Sequence, residues 1–301
     1  MKIIIGSRGS NLAVIQSESV RDLLKEKNPN LDIEIKIIKT KGDKMLDRPI
    51  HKIGDKGVFV KELELALLNE EIDLAVHSMK DMPSQKTEGL KFSNPPMQSD
   101  PRDAIVSNKK IQTLKDLENK ILGTGSLRRS MQLKNLLPNV ETKAIRGNIE
   151  TRMKKIETEN LSGVILAAAG LLRANHGHRI DYYFSTDEII PAPCQGILAI
   201  QYREDDLEMK KLLDSISDPM TTYRYEAERA FQAELNADCH SPIGVYAKVD
   251  GEKIIINAVF GDADKNILIR DFIKGDLKDR IELGRILAKR LKENVNAKRQ
   301  S

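Results

Sequence analysis

Residues 2–10 read Lys2-Ile3-Ile4-Ile5-Gly6-Ser7-Arg8-Gly9-Ser10, an apolar run that ends in a turn of glycine and serine. Apolar residues at helical spacing follow from Leu12 onward, and Ser10 is a suitable N-cap for that helix. The same succession returns at Ile121-Leu122-Gly123-Thr124-Gly125-Ser126, again ahead of a helical segment. Strands that enter helices through such turns predict an α/β fold.

The segments beyond each copy continue this alternation. We expect a strand at Ile33–Ile38, a helix at Val58–Glu70 and a strand at Ile72–Val76, and in the second half a strand at Glu141–Ile145, a helix at Ile149–Thr158 and a strand at Val164–Ala169. Two successive α/β halves of this kind predict largely parallel sheets. Ligands of such sheets bind beyond the carboxyl ends of the strands, where the polar turns of this chain lie.

The rest of the chain indicates how the domains are divided. Proline-rich segments at Asn94–Arg102 and Pro191–Gly196 are candidate crossings between two domains, as in clamshell binding proteins. The tail predicts a helix at Thr222–Leu235, strands at Val245–Val249, Ile254–Val259 and Ile267–Ile273, and a closing helix with Leu277, Ile281, Gly284, Ala288 and Leu291 on one stripe. We therefore expect domain 1 at residues 1–97 and 195–216, domain 2 at residues 98–194, and a small α+β domain 3 at residues 217–301.

The composition excludes several classes of protein. Hydrophobic residues make up 40% of the 301 residues and charged residues 31%, which is usual for a soluble globular protein. The net charge is only +4, aromatic residues are 4% and tryptophan is absent, so we expect no nucleic-acid partner. No apolar run approaches the ~18 residues of a membrane span, and Ile3–Ile5 is too short for a signal-peptide core. We expect no membrane association, a cytoplasmic location and no disulfide between Cys194 and Cys239.

Several common catalytic motifs are missing from the sequence. There is no Gly-Lys pair for a Walker loop, and the turn at Gly123 lacks the third glycine of the dinucleotide fingerprint. Neither His-Glu-x-x-His nor Cys-x-x-Cys occurs. His176 and His178 form an isolated pair, which fits exposed loop histidines better than a metal site, so we expect no metal.

The main functional signal is a group of six arginines at predicted strand ends and helix starts: Arg8, Arg128, Arg129, Arg146, Arg152 and Arg173. The planar guanidinium matches carboxylate and phosphate groups, and helix N-termini add N–H donors. One such arginine would ordinarily be solvated surface charge. Six of them in two repeated positions favour a cleft that binds a small anionic ligand.

Three further features leave a choice between function and ordinary structure. Asp81 follows Lys80 at a predicted strand end. It is either an ion-pair partner of nearby cations or, in a cleft, a group that stabilises a developing cation or moves a proton. The stretch Asp43–Gly57 is a mobile lid or an exposed loop, and Cys239, beside His240 in a predicted loop, is reactive or inert.

Several motifs match one known family in order and spacing. They are His77-Ser-Met-Lys-Asp-Met-Pro83, Asp100-Pro-Arg-Asp-Ala104, Gly123-Thr-Gly-Ser-Leu-Arg-Arg129, Arg146-Gly-Asn148, and Cys239 ahead of Pro242-Ile-Gly244. On these motifs the sequence resembles the hydroxymethylbilane synthases, or porphobilinogen deaminases, from Ile4 to the final helix. The resemblance implies two type II periplasmic-binding-protein-like α/β domains around a cleft, plus a small α+β C-terminal domain. It also implies a monomeric transferase of tetrapyrrole (haem-type) biosynthesis that joins four porphobilinogens head to tail into hydroxymethylbilane and releases ammonia.

The resemblance further implies a dipyrromethane cofactor that primes the growing chain through a thioether to Cys239. The residues implied for cofactor binding are Ser78, Lys80, Asp81, Thr124, Ser126, Arg128, Arg129, Arg146 and Gly147. Those implied for substrate binding are Arg8, Ser10, Gln16, Arg146, Arg152, Arg173 and Gln195. Asp81 is the implied catalytic residue, which contacts pyrrole N–H groups and stabilises the cationic azafulvene left by the loss of ammonia. Lys52, Lys56 and Phe59 match positions in and after the family's mobile loop.

The chain departs from the family pattern at two positions. Gly125 replaces a usual serine, which removes a hydroxyl donor, and Cys194 replaces a usual glycine just before Gln195-Gly196. Two competing hypotheses remain. One is a non-catalytic clamshell protein that binds anions reversibly, and the other is a nucleic-acid binder, which the basic balance alone suggests.

Overall fold

The computed structural model describes residues 2–40, 60–83, 87–236 and 241–300. Its strands are β1 Lys2–Ser7, β2 Asp32–Ile37, β3 Leu74–Ser78, β4 Leu90–Phe92, β5 Asp103–Ser107, β6 Ile121–Gly123, β7 Glu141–Lys143, β8 Gly163–Ala167, β9 Ile180–Tyr183, β10 Leu198–Arg203, β11 Gly244–Asp250, β12 Lys253–Asp262 and β13 Ile267–Asp276. Its helices are α1 Asn11–Lys27, α2 Lys61–Leu68, α3 Leu127–Leu136, α4 Ile149–Thr158, α5 Ala168–Arg173, α6 Leu207–Asp214, α7 Pro219–Leu235 and α8 Arg280–Gln300. The chain forms two units: unit 1 contains Met1–Gln98 and Ile197–Thr222, and unit 2 contains Ser99–Gly196 and Tyr223–Ser301.

Unit 1 is built on a five-stranded sheet with the order β2-β1-β3-β10-β4. β1 pairs in parallel with β2 and β3, whereas β10 pairs antiparallel with β3 and β4. Val20 and Leu24 of α1 and Leu213 of α6 form one core with the sheet, and Leu63 and Leu67 of α2 belong to a second. Burial of these side chains fixes the sheet whose strand ends carry the polar turns.

Unit 2 contains a second five-stranded sheet with the order β7-β6-β8-β5-β9. β6 pairs in parallel with β7 and β8, and β5 pairs antiparallel with β8 and β9. The order therefore matches that of unit 1, with one difference: the antiparallel strand in fourth position comes from downstream in unit 1 and from upstream in unit 2. Leu133 of α3 packs in one core of this sheet, and Ile156 of α4 packs in another with Leu171 of α5.

The C-terminal part of unit 2 is a three-stranded antiparallel sheet, β11-β12-β13. Phe231 of α7 and Leu287 and Leu291 of α8 pack in its core. The two helix backbones approach closely at Gly284, where a Cβ would lie 2.4 Å from the carbonyl oxygen of Ala227. Glycine is therefore required for this helix contact.

This architecture confirms the predicted α/β fold class, with two five-stranded α/β sheets followed by a small α+β part. Four of the five strands in each sheet run in the same direction, which confirms the expectation of largely parallel sheets. One strand in each sheet, β10 or β5, runs antiparallel to both of its neighbours. Strands β4, β5, β9 and β10 were not predicted from the sequence. These short strands are defined by pairing with distant parts of the chain rather than by a local pattern.

Two local details also differ from expectation. Helix α5 begins at Ala168, inside the segment predicted as a strand to Ala169. Ile281 is 38% exposed, because α8 turns it away from the core that holds Ala288 and Leu291. The division into three domains stays a prediction.

Candidate functional site

In unit 1, the end of β1 and the start of α1 carry three of the predicted site residues. Ser10 is the N-cap of α1, as predicted, and its Oγ accepts the N–H of Ala13 at 3.4 Å. Gln16 is buried, and its Nε2 donates to Oγ of Ser78 at 2.8 Å. This bond ties α1 to the end of β3, so Arg8, which follows β1 directly, lies on a fixed framework.

Asp81 ends a 3-10 turn, Met79–Asp81, that follows β3 directly. Met79 anchors the turn because it is fully buried and its N–H donates to the carbonyl oxygen of Ile197 at 3.0 Å. The Asp81 side chain is exposed. Among the described residues it makes no hydrogen bond or ion pair, so the carboxylate is available to a cationic group of a ligand.

His77 lies buried in β3, just before this turn. Burial, together with the positive charge of Arg8, lowers the pKa of the imidazole to about 4. The ring is therefore neutral at pH 7, and it adds no positive charge near Asp81. His77 therefore does not neutralise the negative charge of Asp81.

In unit 2, β6 ends in the turn Thr124-Gly125-Ser126. The N–H of Thr124 donates to the carbonyl oxygen of Lys143 at 2.9 Å, and Oγ of Ser126 caps α3 by accepting the N–H of Arg129. A Cβ on Gly125 would lie 2.7 Å from the carbonyl oxygen of Ile145. A serine at this position would therefore require the backbone to shift, which explains why this chain carries glycine here.

Arg128 and Arg129 are buried in unit 2, where both pair with Asp103. Nη1 of Arg128 lies 2.7 Å from Oδ2, and Nη2 of Arg129 lies 2.8 Å from Oδ1. Burial alone would raise the pKa of Asp103, but the two guanidiniums hold it well below its ordinary value. Each guanidinium has five N–H donors, more than these bonds use, so both retain donors for a further anion.

Gln195 and Arg173 lie in the same unit, and Arg173 bonds the residue that follows Gln195. Nε2 of Gln195 donates to Oδ1 of Asp103 at 2.9 Å, which makes Asp103 the common partner of three predicted site residues. Nη2 of Arg173 donates to the carbonyl oxygen of Gly196 at 2.7 Å. Burial lowers the pKa of Arg173 to about 10, which leaves the guanidinium cationic at pH 7.

The segment Arg146–Asn148 leads into α4. Oδ1 of Asn148 caps this helix by accepting the N–H of Thr151 at 2.8 Å. Gly147 has a φ of +116°, and its carbonyl oxygen accepts Nε of Arg152 at 2.7 Å. Arg146 is exposed and makes no hydrogen bond or ion pair with the residues that the structure describes.

The predicted residues thus fall into two sets, one in each unit. Arg173 was predicted at a strand end or helix start, but it is the last residue of α5. The unit 1 set is Arg8, Ser10, Gln16, Ser78, Lys80 and Asp81, and the unit 2 set is Thr124, Ser126, Arg128, Arg129, Arg146, Gly147, Arg152, Arg173 and Gln195. Lys52, Lys56, Phe59 and Cys239 lie outside the described residues.

Sequence reasoning missed the function of Asp103. The available signal was an acidic residue directly ahead of the apolar run Ala104–Val106, because a carboxylate that enters a core needs a cationic partner. Within the described ranges, no group of three or more His, Cys, Asp or Glu side chains could hold a metal ion. None of the described helices is long and apolar enough to cross a membrane.

Comparison with known proteins gives matches along nearly the whole chain. A family model described as "Porphobilinogen deaminase, dipyromethane cofactor binding domain" matches residues 3–211, and "Porphobilinogen deaminase, C-terminal domain" matches residues 222–293. A porphobilinogen deaminase of Clostridioides difficile is 45% identical over 98% of this chain and 99% of its own length. One of Clostridium novyi is 42% identical over 98% of this chain and its full length. Among solved structures, a TRAP periplasmic solute binding protein from Pseudomonas putida F1 aligns with a TM-score of 0.41 and 12% identity, over 78% of this chain and 84% of its own.

Proposed function

Because the chain belongs to the porphobilinogen deaminase family, we propose that Asp81 is its catalytic residue and that the two sets bind the anionic groups of cofactor and substrate. The chain is a transferase of tetrapyrrole biosynthesis, which polymerises four porphobilinogen molecules head to tail into hydroxymethylbilane and releases ammonia. Its cofactor is a dipyrromethane. We assign Cys239 as the residue that carries the cofactor through a thioether.

The donors of unit 2 fit a ligand with several carboxylates. Each pyrrole of the cofactor carries an acetate and a propionate, so the group is a polyanion at pH 7. The first turns of α3 and α4 offer backbone N–H groups, and Arg146 offers an exposed guanidinium. A Cβ at Gly125 would lie 2.7 Å from the carbonyl oxygen of Ile145, and one at Gly147 would lie 2.6 Å from Cγ2 of Thr151, so neither turn accommodates a side chain without a shift.

We assign cofactor binding to the residues that the family resemblance implies: Ser78, Lys80, Asp81, Thr124, Ser126, Arg128, Arg129, Arg146 and Gly147. When bound, the cofactor supplies the pyrrole carbon to which the first substrate is joined. Arg128 and Arg129 act here through their retained N–H donors and their charge, because Asp103 holds both guanidiniums in place. The hydroxyl groups of Thr124 and Ser126 donate hydrogen bonds to carboxylate oxygens.

Asp81 faces the charge that develops on the substrate. When the aminomethyl C–N bond of porphobilinogen breaks, the electron pair leaves with the nitrogen as ammonia and the carbon becomes cationic. A fixed carboxylate lowers the energy of such a charge, more so because no other cation among the described residues neutralises Asp81. Once the new carbon–carbon bond has formed, the attacked ring loses a proton, and the Asp81 carboxylate accepts it. The observation that carries this assignment is that Asp81 is exposed and makes no ion pair with any residue that the structure describes.

The substrate carboxylates need cations of their own. We assign them to Arg8, Ser10, Gln16, Arg146, Arg152, Arg173 and Gln195. Each added pyrrole brings two more carboxylates, so a lengthening product requires cationic groups in both sets. Lys52, Lys56 and Phe59 keep the mobile-loop assignment made from the sequence.

The experiment that tests this function is an intact-mass spectrum of the purified protein with peptide mapping of both cysteines. We expect a mass excess of two porphobilinogens less two ammonias, located on Cys239, together with ammonia release on addition of porphobilinogen. The same excess on Cys194 would overturn the assignment of Cys239. Reversible porphobilinogen binding without mass gain or ammonia would instead support the anion-binding clamshell protein.

Three further properties that we expect from the sequence complete the proposal. The chain acts as a monomer, works in the cytoplasm and needs no nucleic-acid partner. Sedimentation analysis with and without porphobilinogen checks the first point, because a monomer of this chain has a mass of 33.9 kDa. A two-fold larger mass at micromolar concentration would contradict it.

A further inference from the structure

Glu228 is a buried carboxylate on α7 that lies outside both sets of site residues, with 1% of its surface exposed. Its Oε2 accepts the N–H of Cys194 at 2.6 Å, and its Oε1 accepts the N–H of Ala247 at 3.0 Å. One side chain therefore joins α7 to the segment Pro191–Gly196 and to β11. Both carboxylate oxygens act as acceptors in this arrangement.

The segment that Glu228 holds carries two groups of the unit 2 set. A turn closes where the N–H of Gln195 donates to the carbonyl oxygen of Ala192 at 3.0 Å. Beyond it, Gln195 bonds Asp103, and the carbonyl oxygen of Gly196 accepts Arg173. Small movements of this turn therefore change where both site groups lie.

Cys194, in this turn, has a backbone conformation that is unfavourable for a residue with a side chain. Cys194 has a φ of +58°, in the left-handed region that only glycine adopts without cost. The hydrogen bond from its N–H to Glu228 opposes that cost.

We propose that Glu228 is a positioning residue for the reaction, whose carboxylate holds the Ala192–Gln195 turn so that Gln195 reaches Asp103 and Gly196 reaches Arg173. This inference rests on the proposed function, which assigns Gln195 and Arg173 to substrate binding. The bond pattern requires two acceptor oxygens on Glu228. Protonation converts one of them into an O–H donor, which then opposes the N–H of Cys194 or Ala247.

Positioning by Glu228 is therefore sensitive to pH. Burial raises the pKa of Glu228 to about 7, although the two N–H donors and the charge of Arg224 on the same helix favour the ionised form. Among the described residues, the other titratable groups that interact electrostatically with Glu228 are the Cys194 thiol of the turn and the Tyr246 hydroxyl of β11. Burial raises the pKa of both, so they stay neutral between pH 6 and 8 while Glu228 changes charge.

The kinetic test compares the wild-type holoenzyme with Glu228→Gln, whose amide keeps one acceptor oxygen and places an NH2 group opposite the second N–H donor. For the wild type, we expect KM for porphobilinogen to rise about tenfold as the pH falls from 8 to 6, the effect of about one hydrogen bond. Glu228→Gln should show the raised KM at every pH. Glu226→Gln is the matched control, because Glu226 lies on the same helix and pairs with Arg280 near the surface. It should keep the wild-type pH profile.

Amide hydrogen exchange gives a readout that does not depend on activity. The Cys194 and Ala247 amides should exchange about tenfold faster in Glu228→Gln, and Glu228→Asp, which restores two acceptor oxygens, should recover part of the protection. A wild-type KM that does not change with pH, or exchange and kinetics of Glu228→Gln equal to those of Glu226→Gln, would overturn the proposal. If Glu228→Gln does not fold, the wild-type pH series and the Glu228→Asp variant test the proposal instead. If the wild type carries no cofactor and releases no ammonia, the proposed function fails, while the exchange measurement still tests the hydrogen bonds.

Discussion

The two α/β units each place an aspartate near the edge where their parallel strands end, in opposite environments. Asp81 of unit 1 is exposed and makes no ion pair with the described residues, whereas Asp103 of unit 2 is fully buried between two guanidiniums. A carboxylate that stabilises a transient cation must have no permanent cationic partner. A carboxylate that holds permanent cations in place is neutralised by its ion pairs with them. The same residue type thus supports chemistry in one unit and positions ligand-binding groups in the other.

The largest expected effect is on stability, from Asp103→Asn. Removing one partner of a buried ionic group leaves Arg128 and Arg129 without their counter-ion, at a cost of about 3–5 kcal/mol in the free energy of unfolding. Urea unfolding measures this loss. Asp100→Asn is the control, because Asp100 pairs with the partly exposed Arg102 and should cost no more than about 1 kcal/mol. Equal losses in the two variants would remove the distinction drawn for Asp103.

Asp81→Asn should have the converse result. We expect kcat to fall roughly 10²–10³-fold, the usual effect of losing one electrostatic group at a reacting centre, with no change in the urea midpoint. Steady-state turnover and unfolding curves of the same preparation check both points. Asp22→Asn, which removes an exposed carboxylate from α1, should leave both unchanged. Near-normal turnover of Asp81→Asn would refute its catalytic role.

A fall in pH should change the stability of the two units in opposite directions. The pKa of His77 is lowered to about 4, so the stability that its neutral ring gives unit 1 is complete above pH 6.5 and is lost as the pH falls toward 4. The pKa of Glu228 is raised to about 7, so the cost of its buried charge in unit 2 is relieved as the pH falls from 7 toward 4.5. Between pH 7 and pH 5, these two groups should destabilise unit 1 and stabilise unit 2 by about 2 kcal/mol each.

Hydrogen exchange of amides in β3 and β12, corrected for intrinsic rates, measures this divergence. His77→Gln should abolish the loss in unit 1 without changing unit 2, because His77 lies only in the first sheet. A shift of both units in the same direction by the same amount would contradict the opposite linkage of these two groups.

The smallest effect concerns the glycine that precedes each N-cap serine. Gly125→Ser should cost roughly 1–2 kcal/mol, because the new Cβ would lie 2.7 Å from a backbone oxygen that cannot move freely. Gly9→Ser is the matched control in unit 1, where a Cβ would meet Cγ2 of Ile37 at an ordinary 3.5 Å. Thermal unfolding of both variants checks the difference. A Gly9→Ser variant as unstable as Gly125→Ser would mean that the two turns are equivalent.

Local signals in the sequence predicted local structure well. Ser10 was identified as an N-cap from its position ahead of a helical pattern, and the structure confirms it. The three partners of Asp103 lie 25, 26 and 92 residues away in the chain, so no local pattern relates them. The buried state of Arg128 and Arg129 depends on that distant carboxylate, which is why both resembled accessible charges in the sequence. Their assignment as ligands of the cofactor stays a prediction.

The antiparallel strand is β10 in the first sheet and β5 in the second, and this difference in chain position has a consequence for synthesis on the ribosome. β10 lies between β3 and β4, yet it is made more than one hundred residues after β4. At about 5–20 residues per second, β3 and β4 emerge several seconds before the strand that must join them. The second sheet needs nothing later than β9, so it can close before the first. The nascent N-terminal segment must therefore wait with open strand edges, which makes it the part of the chain most dependent on chaperones during translation.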